Sequence, residues 1–140
     1  MFGFAVDHEV GVDIEQIRPV PDALELAREY FHPDEYEELS VAAFEQQAQA
    51  FLSIWTMKEA YLKATGVGLT APLHEFRVSP RKNGMTITSP AGELMYLIPI
   101  PLDEYAAAVA VENPPTMIVC QRFRDVDDCL GMLRDRRGYG

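Results

Sequence analysis

The stretch Trp55-Thr56-Met57-Lys58-Glu59-Ala60-Tyr61-Leu62-Lys63-Ala64-Thr65-Gly66 decides how this chain is read. It looks like the end of a long helix of roughly Ala42 to Thr65, with Gly66 placed as a C-cap glycine. Phe44, Ala48, Phe51, Leu52, Trp55 and Leu62 recur at helical spacing and are expected to face the core. Glu59 falls on that same apolar stripe, where a carboxylate is costly unless something pairs with it. Lys63, one turn onward, is one candidate partner as an i,i+4 pair.

Upstream lies Gly11-Val12-Asp13-Ile14-Glu15, read as a strand. Alternate side chains share a face, so Asp13 and Glu15 point together, roughly 7 Å apart along the strand. One reading is a half-exposed strand with an acidic outer face. The other is a shared hard cation, with Asp13, Glu15 and Glu59 converging and Lys63 set against a phosphate.

Working outward, Phe2–Val6 is expected to pair with Val10–Glu15 as a hairpin. Asp22 is placed as the N-cap of a helix reaching Tyr30, and a short helix is expected over Glu35–Leu39. After Pro72 the texture turns to strands: Phe76–Ser79, Met85–Thr88, Leu94–Ile98, Tyr105–Val111 and Met117–Phe123. Arg81-Lys82-Asn83-Gly84 reads as a turn. The expected fold is α+β, an antiparallel sheet against a long helix, with one lobe over 1–125 and a tail over 126–140.

Composition narrows the function. The chain has 140 residues, 48% of them hydrophobic, which suits one domain with a real core. A net charge of −10 argues against nucleic acid as a partner. No apolar run is long enough for a bilayer and the start does not read as a signal peptide, so no membrane role and a cytoplasmic location are expected. Cys120 and Cys129 fit no zinc or disulfide pattern, and His8, His32 and His74 are isolated.

The joint pattern, Gly11–Glu15 followed by Trp55–Leu69, resembles the 4′-phosphopantetheinyl transferase superfamily, in particular the catalytic lobe of its two-lobed, broad-specificity branch. The resemblance implies magnesium on Asp13, Glu15 and Glu59. It implies contact of Lys63 with the phosphates of coenzyme A, with Lys58 as a further candidate if it is not simply an exposed helix lysine. Glu35, within Phe31-His32-Pro33-Asp34-Glu35-Tyr36, matches an acid proposed to assist proton removal; Glu59 acting through water is the alternative base. The implied reaction moves phosphopantetheine from coenzyme A to a serine of an acyl or peptidyl carrier protein.

The same resemblance leaves an N-terminal lobe unaccounted for. A homo-oligomer, dimer or trimer, could supply that half, as single-lobed carrier-protein synthases do. An inactive half-enzyme fragment and a non-catalytic interaction module stay open as alternatives. Arg18, Arg28 and Arg77 are the candidates for a basic carrier-docking patch.

Overall fold

A computed structural model describes residues 1, 3, 5, 8–68, 70–81, 84–115 and 117–122. Five antiparallel strands form one sheet in the order β1-β5-β4-β3-β2, with β1 Val10–Gln16, β2 Arg77–Arg81, β3 Gly84–Thr88, β4 Leu94–Pro99 and β5 Tyr105–Val111. Helices α1 (Ala23–Tyr30), α2 (Pro33–Ser40) and α3 (Phe44–Thr65) lie between β1 and β2 in the chain, followed by a short 3-10 turn at Leu73–Glu75. The α+β expectation holds. Among the described residues no helix is long and apolar enough to cross a membrane.

Helix α3 organises the core. Met57, Ala60, Tyr61 and Leu62 cluster with Leu73 and Phe76 at the 3-10 turn and with Val78, Ile87, Met95, Leu97, Ala108 and Ala110 of the sheet. Phe51 and Leu52 enter a second cluster with Ala23, Ala27, Phe31, Leu39 and Ala106. Because α3 is covered by the sheet on one side and by α1 and α2 on another, its buried surface is wider than a single stripe. Gly66 closes the helix in the left-handed region at φ 69°, as a C-cap glycine should.

The side chains of β1 face the opposite way from an acidic outer surface. Gly11 and Asp13 are buried on the face that meets α3, and Val10, Val12 and Ile14 are half-buried on the other. Val12 pairs with Val109, and Val109 with Ile98, so that second face carries an apolar band across three strands. Helices α1 and α2 pack on each other and on α3, not on this band.

Strand β2 lies at the opposite edge of the sheet. Its outward N–H at Val78 donates to the Glu35 carboxylate at 2.7 Å, and Pro80 has no N–H to offer.

Several sequence expectations need correction. Helix α3 starts at Phe44, not Ala42, and Phe44 is 83% exposed because it precedes the part of the helix that reaches the sheet. Helix α2 starts at Pro33, two residues early, because His32 and Glu35 form a capping box around the first turn. Asp22 does stand at the N-cap of α1 but makes no side-chain cap bond. Residues 117–122 form no strand, and Phe123 lies outside the described residues. The 2–6 half of the expected hairpin, Lys82-Asn83 of the turn, Leu69 and the 126–140 tail also fall wholly or partly outside them.

Candidate functional site

The site forms where β1 crosses the C-terminal half of α3. A β-carbon built on Gly11 would lie 1.9 Å from the Ala60 carbonyl oxygen and 2.4 Å from the Ala64 nitrogen. Only glycine allows so close an approach. Asp13 follows two residues along the same face, while Glu59 and Lys63 each precede one of the two alanines.

Lys63 Nζ donates to Asp13 Oδ1 at 2.6 Å. The lysine therefore reaches across to the strand instead of making the i,i+4 pair with Glu59 that its spacing suggests. Asp13 is buried, and its Oδ2 has no hydrogen-bond partner; the same is true of Glu59 Oε1. A buried, unpartnered carboxylate oxygen is expensive and calls for a ligand. Burial pushes the Glu59 carboxyl above its ordinary range, the neighbouring charges of Asp13 and Glu15 push it further, and Lys63 pulls the other way.

The donor set is hard oxygen, which suits magnesium rather than a soft ion. The convergence is mainly of two acids, since among the described residues no three His, Cys, Asp or Glu side chains stand together as a ready metal cluster. Glu15 is half-buried and close enough for its charge to act on Glu59. Two carboxylates with open oxygens fit an ion that typically takes one or two from protein and completes its shell with water and phosphate.

Glu35 and Lys58 form a second, separate pair. Lys58 is fully buried, which overturns the exposed-lysine expectation. Its ammonium donates to Glu35 Oε2 at 2.8 Å, Leu73 O at 2.9 Å and Phe76 O at 2.6 Å, and it sits over the Phe31 ring. All three protons are committed, so none is left for a phosphate. Burial pushes this ammonium below its ordinary range and Glu35 opposes the shift. Glu35, only 3% exposed, also accepts from His32 N and Val78 N. With three donors on its oxygens and no open path to solvent, Glu35 cannot reach a substrate hydroxyl. The pair ties α2, α3, the 3-10 turn and β2 together.

Among the basic-patch candidates, Arg77 pairs with Asp34 at 2.9 Å. Arg28 lines a shallow cavity of about 390 Å³ with Glu29, Phe31, Pro33, Tyr36 and His74, which shares no residue with the acidic site. Sequence reasoning missed the cap role of His32 and the buried status of Lys58. The first was legible in His32-Pro33-Asp34-Glu35, where a polar residue stands three before a glutamate.

The family model described as the 4′-phosphopantetheinyl transferase superfamily matches residues 9–110. The chain is 43% identical over 105 residues to the 4′-phosphopantetheinyl transferase HetI of Nostoc, covering 74% of this chain and 43% of that protein. It is 35% identical over 114 residues to a Bacillus subtilis 4′-phosphopantetheinyl transferase, covering 79% and 50%. It thus spans half or less of the length of these relatives. In fold it resembles the crystal structure of a Bacillus anthracis holo-(acyl-carrier-protein) synthase in complex with CoA (3′,5′-ADP), with a TM-score of 0.62 at 19% identity, covering 74% of this chain and 93% of that one.

Proposed function

The chain belongs to the 4′-phosphopantetheinyl transferase superfamily, and on that premise we propose that it carries the metal and phosphate half of a phosphopantetheinyl transfer site. The substrates of the proposal are coenzyme A and a serine hydroxyl on an acyl or peptidyl carrier protein, and the setting is the cytoplasm. The observation that carries it is the pair of buried, unpartnered oxygens, Asp13 Oδ2 and Glu59 Oε1, beside the ammonium of Lys63.

In this reading Asp13 and Glu59, with Glu15, hold magnesium, which when bound neutralises the diphosphate of coenzyme A and the charge growing on its leaving oxygen. Lys63 adds a mobile positive charge to the same diphosphate. The serine oxygen forms a bond to the pantetheine phosphorus, and the bond from that phosphorus to the departing oxygen breaks. The electron pair leaves with 3′,5′-ADP. Glu59 would take the serine proton through a water. Glu35 and Lys58 are assigned to the framework, because their hydrogen bonds are already complete.

A second reading is favoured by length. The chain spans half or less of the relatives it matches, so the remaining contacts to coenzyme A would come from another lobe or another copy. A homo-oligomer is the form we propose for an active assembly. Without one, the chain is an inactive half-site.

The deciding experiment mixes the chain with coenzyme A, Mg²⁺ and an apo carrier protein and follows the carrier by mass spectrometry, with sedimentation on the same sample. A mass gain from an oligomeric sample supports the transferase. No gain at high protein concentration leaves the half-site reading.

A further inference from the structure

Asp13 and Lys63 meet with very different freedoms. The Asp13 side chain is 9% exposed and built into the wall between β1 and α3, whereas the Lys63 side chain is 53% exposed. The carboxylate cannot follow the lysine, but the lysine can leave the carboxylate without unpacking anything. Lys63 occupies Oδ1 of Asp13, while Oδ2 and Glu59 Oε1 stay open. Glu59 thus feels the Lys63 ammonium together with the charges of Asp13 and Glu15.

A hard divalent ion would take the open oxygens, Asp13 Oδ2 and Glu59 Oε1, and two positive centres crowded on the one buried Asp13 carboxylate repel each other. We propose that Lys63 is a tethered cation that competes with the divalent ion for Asp13, and that a diphosphate ligand raises the ion's affinity by drawing the ammonium away. This inference rests on the metal and diphosphate reading above. Lysine suits the role better than arginine, being a compact charge on a flexible stem with no fork to hold it on one carboxylate. By linkage the effect is reciprocal, so the ion strengthens diphosphate binding by the same factor.

The test is a Mn²⁺ titration of the full chain, followed through the electron paramagnetic resonance signal of free Mn²⁺, with and without coenzyme A and corrected for Mn²⁺ bound by coenzyme A alone. Wild type, Lys63→Met, Lys63→Gln and Glu59→Gln are compared, with circular dichroism to confirm folding. Both Lys63 variants are expected to bind Mn²⁺ alone at least fivefold more tightly than wild type. Coenzyme A should tighten Mn²⁺ at least fivefold in wild type and by a factor at least threefold smaller in those variants, where only the direct pull of the diphosphate on the ion remains; equal factors overturn the inference. If Mn²⁺ binds wild type and weakens in Glu59→Gln, yet neither Lys63 variant binds it more tightly, the tethered-cation inference is overturned while the metal reading stands. If no folded variant binds Mn²⁺, or Glu59→Gln leaves binding unchanged, the metal reading falls and the inference falls with it.

Discussion

Gly11 and Ala60 touch backbone to backbone, with the space for a Gly11 β-carbon already taken by the Ala60 carbonyl oxygen at 1.9 Å. That contact sets the depth at which β1 lies under α3, and with it the spacing of Asp13 from Glu59 and Lys63. Gly11→Ala is expected to lower stability by about 3 kcal/mol, the upper range of overpacking costs, because backbone rather than a side chain must yield. Urea denaturation of the folded chain measures it directly.

Lys58 and Glu35 are the costliest polar pair to break. Lys58→Met leaves a buried carboxylate without its cation, and a loss of about 3–5 kcal/mol is expected. Adding Glu35→Gln should recover part of that loss, since the amide still accepts one N–H and carries no charge. A double-mutant cycle by chemical denaturation checks it. A Lys58→Met protein as stable as wild type would remove the ion pair from the framework.

The pH dependence follows from Glu59. Its folded proton affinity is raised above the ordinary value of 4.5, so between 4.5 and the folded value the native state binds more protons than the unfolded chain. Stability from this group is complete below 4.5 and is lost as pH rises through the folded pKa. Glu59→Gln is therefore expected to melt higher than wild type at neutral pH without added metal. The gap should close toward pH 4, as thermal melts at matched ionic strength would show.

Two phenylalanines two turns apart on α3 should respond very differently to truncation. Phe44 is 83% exposed and Phe44→Ser should change stability by no more than about 0.5 kcal/mol. Phe51, 4% exposed and stacked between Phe31 and Trp55, should cost about 3–5 kcal/mol as alanine. Paired melting curves separate the two.

Much of this architecture was legible because its signals are local. The period of α3 from Phe51 onward, the Gly66 stop and four of the five late strands follow from spacing and turn chemistry alone. The N-terminal start of α3 was misread because an apolar residue at helical spacing says nothing about whether a neighbour exists to cover it; Phe44 has none. The expected strand beyond Met117 had the right residues but no pairing among the described ones. For Lys58 the obstacle was distance. Its acceptors, Glu35, Leu73 and Phe76, come from three other parts of the chain, and no window on the helix reveals them. The burial of Asp13 was hidden in the same way, since alternation gives a face but not which face is covered.

The Glu35 carboxylate and Pro80 together have a consequence for growth. With the Val78 N–H already taken and Pro80 offering none, the outer edge of β2 cannot template another strand. Fibre formation by strand addition needs two receptive edges per molecule, one to give and one to receive. Among the described residues this sheet offers at most the β1 side. Association through it joins two copies edge to edge about a two-fold axis and then has nowhere further to go, so the lobe can pair but cannot polymerise through its sheet.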